Sequence, residues 1–177
     1  GCMIVTRQAL NRLRMPVQGT RVAVQGFGNV GSVSAALMEQ QGMKIIAVSD
    51  HTGALHSASG LDVPALIRHA STHGSIAGYS NELQYDPAQI LTLPCDVLVP
   101  AAMERVIDAN VAENLKCRVL AEGANGPTTP DADLVRVAGD VVDLVDVAGT
   151  QVVDPRQAAR AQLLRAAEGR DVGQPLL

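Results

Sequence analysis

The sequence predicts an α/β domain built on a doubly wound parallel sheet, and three observations carry that prediction. Short apolar runs rich in β-branched residues recur along the chain, at 21–25, 44–48, 95–99, 118–121 and 141–147, each of strand length. Aromatic residues are scarce, with one Phe, two Tyr and no Trp, so the core is left to Val, Leu, Ile and Ala. Such a core suits a parallel sheet covered by helices on both faces. The third observation is a glycine-rich turn at 26–31, directly after the first run and directly before a helical pattern. At 177 residues the chain is long enough for one domain with a substantial core, and one such domain accounts for residues 1–177.

That turn is the stretch on which the rest depends. Arg21-Val22-Ala23-Val24-Gln25 reads as a buried strand, and Gly26-Phe27-Gly28-Asn29-Val30-Gly31 follows at once as G-x-G-x-x-G. The helix after it carries Val30, Val33 and Leu37 at helical spacing and is stopped by Gly42. Lys44-Ile45-Ile46-Ala47-Val48 is the second strand, ending at Ser49-Asp50, with Asp50 19 positions after Gly31. Each part has a physical role. Gly26 permits a turn too tight for a side chain, Gly28 lets the backbone approach a pyrophosphate, and Gly31 lets the helix sit close on the sheet. The helix N-terminus offers free N–H groups and the positive end of its dipole to phosphates. Asp50 is placed for the two ribose hydroxyls of an adenosine. In this strand–helix–strand frame the motif predicts a Rossmann-type dinucleotide-binding domain; the plainer reading is a glycine turn in a nucleotide-free α/β domain. Asp50 would repel a 2′-phosphate, favouring NAD over NADP, and a protonated His51 beside it would soften that preference.

The remaining elements follow in order. Residues 1–14 read as a helix with Ile4, Ala9, Leu10 and Leu13 toward the core; no cap precedes it, as expected of a piece cut from a longer chain. Pro16 and Gly19 link it to the first strand. After Asp50, residues 51–54 read as a turn and 55–59 as irregular. Asp62 is a helix cap, with Pro64 in the first turn and Leu61, Leu66, Ile67 and Ala70 along one face. His69 and His73 lie four apart, a metal-ligand spacing, but no third ligand is near in sequence, so exposed histidines are expected and no metal. Residues 74–94 are loop-rich. After the strand at 95–99, Pro100-Ala101-Ala102 supplies small residues where an α/β sheet opens its ligand crevice. A short helix is expected over 108–115, and Thr129 with Pro130 starts another. The last strand, 141–147, is interrupted by Asp143 and Asp146, and a final helix is expected over 154–168.

Bulk properties exclude several classes. A net charge of −4 gives no basic footprint for nucleic acid. No apolar run approaches the roughly 20 residues that span a bilayer, and no signal peptide is visible, so a cytoplasmic location is expected. Cys2, Cys95 and Cys117 are odd in number and widely spaced, which indicates neither a disulfide framework nor a zinc knuckle.

Three stretches together resemble the cofactor domain of glutamate dehydrogenases, in the glutamate/leucine/phenylalanine/valine dehydrogenase family. They are residues 22–31 (VAVQGFGNVG), Pro100-Ala101-Ala102-Met103-Glu104, and residues 121–130 (AEGANGPTTP). The resemblance implies oxidative deamination of L-glutamate to 2-oxoglutarate and ammonia with an oxidised nicotinamide cofactor; Asp50 makes that NAD by preference, with NADP possible but weaker. It places Phe27, Gly28, Asn29 and Val30 along the pyrophosphate, Ala101 and Ala102 in the cofactor cleft, and Asn125 near the nicotinamide ribose or amide. It also implies that the catalytic residues and the glutamate site lie in an N-terminal substrate domain absent from this chain. No catalytic residue is therefore expected here; the chain alone would be inactive, and the full-length protein would be a homo-oligomer, a hexamer by resemblance. One stretch departs from the family pattern. Where the family places Asn-Ala-Gly-Gly and then a serine, this chain has Val147-Ala148-Gly149-Thr150 and then Asp154. Valine cannot donate an amide hydrogen bond, and an aspartate would repel a glutamate side chain. That departure motivates an alternative, a non-catalytic or degenerate NAD-binding regulatory protein. A different oxidoreductase of the same fold, acting on a hydroxy acid, would leave residues 121–130 unexplained.

Overall fold

The computed structural model describes residues 1–80, 86–132 and the strand at 143–146. A six-stranded sheet forms its centre, in the order β3-β2-β1-β4-β5-β6. The strands are β1 (Arg21–Gln25), β2 (Lys44–Asp50), β3 (Gly53–His56), β4 (Val97–Pro100), β5 (Val119–Glu122) and β6 (Asp143–Asp146). β1 pairs in parallel with β2 and β4, β4 with β5, and β5 with β6. The chain turns outward from β1 in both directions, so the strand order reverses between β1 and β4. In open α/β sheets ligands bind at such a reversal, beyond the carboxyl ends of the strands.

Helices cover both faces, as expected. On one face lie α1 (Cys2–Arg12), α2 (Asn29–Gln40) and α3 (Val63–His73), packing Leu10, Met38 and Leu66 onto Val22, Val24, Ile45, Val48, Val97 and Val119. On the other, a 3-10 helix (Pro87–Thr92) and α4 (Ala109–Glu113) bring Ile90, Leu91 and Ala112 against Ala23, Ile46, Leu98 and Leu120. Asp62 caps α3 by accepting from the Ala65 N–H at 2.9 Å, and Gly74, at φ +75°, ends it in the left-handed conformation. Asp108 caps α4 in the same way through the Val111 N–H at 2.8 Å. Thr129 takes the Ala132 N–H at 3.3 Å. Cys2, Cys95 and Cys117 are buried, and burial pushes the thiols of Cys2 and Cys95 above their ordinary range.

Four expectations are corrected. The sheet is not wholly parallel, because residues 53–56 form β3, an edge strand antiparallel to β2, instead of a turn and an irregular stretch. Leu55 and Ala54 are buried there, so a two-residue reversal at His51-Thr52 folds the chain straight back. Residues 74–94 include the 3-10 helix, which buries Ile90 and Leu91. Ile4 faces outward from α1, whose buried side is Cys2, Thr6, Ala9 and Leu10. The Thr6 hydroxyl is accommodated by donating to the Cys2 carbonyl at 2.8 Å. On α2, Val30, Val33 and Leu37 are exposed, and Gly31, Ser34, Ala35 and Met38 meet the sheet. The helix expected over 154–168, the rest of the helix after Thr129 and the departure at 147–154 lie outside the described residues.

Candidate functional site

The geometry of the glycine turn accounts for each glycine separately. Gly26 sits at φ +91°, a conformation that disfavours a side chain, and a Cβ there would lie 2.8 Å from the Ala102 Cβ. Its N–H donates to the Ser49 carbonyl at 2.8 Å, which ties the turn to the end of β2. A Cβ on Gly31 would lie 1.8 Å from the Gly26 carbonyl oxygen, so α2 approaches the turn as closely as a bare backbone allows. Gly28 differs. It is exposed, caps α2 with φ −80°, and a Cβ there would meet nothing within 4 Å. The fold itself therefore leaves the space above Gly28 open, at the N-terminus of a 12-residue helix whose first N–H groups have no intrahelical acceptor.

A cleft of about 250 Å³ adjoins this terminus, lined by Phe27, Gly28, Asn29, Asp50 and His51 from the predicted set. Its far wall comes from α3 and the turn after it, through Ile67, Ala70, Ser71, Gly74 and Ser75; the sequence places Ile67 and Ala70 on the apolar face of this helix and assigns none of the five to the site. The available signal was weak: the small residues Ala70 and Ser71 and the terminating glycine on one helix. Asp50, half-buried at the carboxyl end of β2, has its Oδ1 hydrogen-bonded by the Thr52 N–H at 2.7 Å and the Thr52 hydroxyl at 2.5 Å. Its Oδ2 accepts from the Ile76 N–H at 2.8 Å. Burial pushes the carboxyl pKa up, but these hydrogen bonds from Thr52 and Ile76, with His51 beside them, outweigh it and hold it below the ordinary value.

Ala101 and Ala102 lie across the turn from this cleft, at the carboxyl end of β4. The Ala101 N–H donates to the Gln25 carbonyl at 2.7 Å, and Ala102 packs on Gly26. Gly123, just after β5, is close enough that a Cβ would lie 3.1 Å from Ala101 and 3.3 Å from the Val30 side chain. Asn125 is exposed on the following loop and is not among the residues lining the 250 Å³ cleft. That loop is held at its base. The Thr128 hydroxyl donates to the buried Glu122 carboxylate at 2.5 Å, and the N–H groups of Arg105 and Ile107 donate to the carbonyls of Gly126 and Pro127. The ten predicted positions apart from Asn125 thus gather around the turn between β1 and α2, while Asn125 stands over the end of β5.

His69 and His73 stack on one another with ring centroids 4.2 Å apart, and Tyr79 meets His69 edge-on. His69 Nε2 is 2.8 Å from the Ala77 carbonyl and His73 Nδ1 is 2.9 Å from the His69 carbonyl, so each ring spends one N–H on the backbone. They organise the end of α3.

Comparison with known proteins agrees with this architecture. The family model described as Glutamate/Leucine/Phenylalanine/Valine dehydrogenase matches residues 1–151. The chain is 43% identical over 157 residues to glutamate dehydrogenase A2 of Halobacterium salinarum, covering 86% of this chain and 38% of that protein. It is 38% identical over 147 residues to the NADP-specific glutamate dehydrogenase of Saccharolobus shibatae, covering 83% of this chain and 35% of that protein. Among solved structures, the hetero-hexameric glutamate dehydrogenase of Thermus thermophilus superimposes with a TM-score of 0.75 at 25% identity, over 96% of this chain and 39% of that one. The chain therefore spans little more than a third of the length of the relatives it matches. The extent of the family match, together with the glycine turn, the acid at the end of β2 and the open crevice, leads to one conclusion: this chain belongs to the glutamate/leucine/phenylalanine/valine dehydrogenase family.

Proposed function

We propose that this chain is the nicotinamide-dinucleotide-binding domain of a glutamate dehydrogenase, NAD being preferred to NADP. The observation that carries the reading is the open space above Gly28, flanked by a helix N-terminus and adjoining a cleft that reaches Asp50. The cofactor fits this donor set. Gly26, Phe27, Gly28, Asn29, Val30 and Gly31 form the turn that receives the pyrophosphate, and Asp50 with His51 receives the adenosine ribose. Ala101 and Ala102 leave room for the cofactor to cross the sheet, and Asn125 meets its nicotinamide half. When bound, the nicotinamide supplies the hydride acceptor, and the protein's share is to place and orient it. The α2 dipole and N–H groups offset the pyrophosphate charge.

Residues 1–177 act in this reading as one cofactor domain. The substrate, L-glutamate or 2-oxoglutarate, is held by a separate domain of a longer, homo-oligomeric polypeptide in the cytoplasm, and the present chain alone is inactive. Among the described residues no helix is long and apolar enough to cross a membrane. A second reading, an NAD-binding regulatory protein without turnover, is favoured by one feature, the Val147-Ala148-Gly149-Thr150 sequence followed by Asp154.

Parallel calorimetric titrations of this chain with NAD and NADP test the cofactor reading. NAD is expected to bind more tightly than NADP, and binding of neither would overturn the proposal. A chain extended with a substrate domain is then expected to reduce NAD when given L-glutamate. Binding of NAD without reduction by any amino acid would move the assignment to the regulatory reading.

A further inference from the structure

In the cofactor reading, on which this inference rests, Asp50 faces a ribose with most of its hydrogen-bonding capacity already taken up by the protein. An ionised carboxylate offers about four acceptor positions, two on each oxygen. Both positions on Oδ1 are taken by one residue, Thr52, through its N–H at 2.7 Å and its hydroxyl at 2.5 Å. One position on Oδ2 is taken by the Ile76 N–H at 2.8 Å. Among the described residues a single acceptor position remains, on Oδ2, and Asp50 lines the cleft. An acid that grips both hydroxyls of a ribose needs two free acceptor positions. This one does not have them.

We infer that Asp50 reads the adenosine ribose through one hydroxyl only, by way of Oδ2, and that Thr52 is the positioning residue that imposes this limit. Two consequences follow from the same contacts. The carboxylate is held in one orientation by donors on both oxygens, from the reversal at Thr52 and from the segment after α3. Its negative charge is also shared among three protein donors, which weakens its repulsion of a 2′-phosphate. Thr52 thereby sets how strongly this acid separates NAD from NADP. Removing the Thr52 hydroxyl opens a second acceptor position on Oδ1 while the two backbone N–H groups keep the carboxylate in place.

The test titrates this chain with NAD and with two NAD analogues, one lacking the adenosine 2′-hydroxyl and one lacking the 3′-hydroxyl. The expected result is asymmetric. One analogue binds roughly tenfold or more weaker than NAD, the loss of a hydrogen bond to a charged group, and the other binds nearly as well as NAD. In Thr52→Val, a replacement of similar shape on an exposed residue, both analogues become weaker than NAD and the NAD-over-NADP preference widens severalfold. Equal weakening of both analogues in the wild-type chain, or weakening of neither, overturns this inference while leaving the cofactor reading intact. Failure of NAD itself to bind overturns the cofactor reading and this inference with it.

Discussion

Gly28 and Gly31 share a motif but are constrained by different things, and single methyl groups separate them. A Cβ on Gly31 would sit 1.8 Å from the Gly26 carbonyl oxygen, a backbone atom that cannot move aside. Gly31→Ala is expected to destabilise the chain by about 1–3 kcal/mol or more, as overpacking does, read as a lowered urea midpoint. Gly28→Ala meets nothing within 4 Å, and its φ of −80° suits alanine. Its stability should stay within about 0.5 kcal/mol of wild type. In the proposed reading its affinity for NAD should nonetheless fall, because the methyl would occupy the open space assigned to the pyrophosphate. Unchanged NAD binding by a folded Gly28→Ala chain would remove the close-approach role from Gly28. The motif's spacing made both glycines legible in sequence, and Asp50 with them. What spacing could not reveal is the company Asp50 keeps. Thr52 is adjacent, but the Ile76 N–H arrives from 26 positions away, delivered by the turn after α3. Contacts set by where a helix ends belong to the tertiary structure.

Elements were legible where burial follows hydrophobicity and obscure where it follows size. The five parallel strands and the capped helix α3 are marked by apolar runs or stripes, and the structure has them. The helix α2 is different, because it must lie against the glycine turn. Small groups allow that approach, so Gly31, Ser34 and Ala35 face inward and the larger Val30, Val33 and Leu37 are turned out. A search for apolar periodicity selects the wrong face of such a helix. The edge strand β3 was obscure for a related reason: Gly53-Ala54-Leu55-His56 has turn-like composition, and only pairing with β2 extends it. The inverted burial of α2 is open to test by substitution. Val33→Lys and Leu37→Lys should each change the stability of this chain by no more than about 0.5 kcal/mol. Met38→Ala, emptying a fully buried position, should cost about 2–5 kcal/mol by chemical denaturation. A large loss at Val33 would show that the outer face of α2 is covered after all.

Across the whole molecule, carboxylates pin the sheet at both ends, and that gives the fold a defined sensitivity to acid. At the carboxyl end, Asp50 joins β2 to the segment after α3. At the amino end, Asp96 sits just before β4 and takes the Arg21 N–H at 2.8 Å and the Arg21 guanidinium at 3.1 and 3.0 Å, joining β4 to the start of β1. Burial raises the Asp96 pKa, but the hydrogen bonds and charge of Arg21, with Arg118 near, outweigh it, so both carboxyls titrate below their ordinary value of 3.8. A depressed folded-state pKa fixes the sign. Above the unfolded-state value both states are ionised and the full contribution is present. As pH falls from there through the folded-state values, the unfolded chain binds protons first and the contribution is lost. The Arg21–Asp96 pair is partly exposed, so its share is small, about 1 kcal/mol or less. Stability measured by urea denaturation should therefore be flat from neutrality down to about pH 5 and then decline as pH falls further. Asp96→Asn should be slightly less stable than wild type at neutral pH and should lose less on acidification, so that the two curves converge as pH falls through the lowered folded-state value of Asp96. Parallel curves, with the same deficit at every pH, would mean that Asp96 acts through shape alone and that its charge holds nothing at the amino end of the sheet.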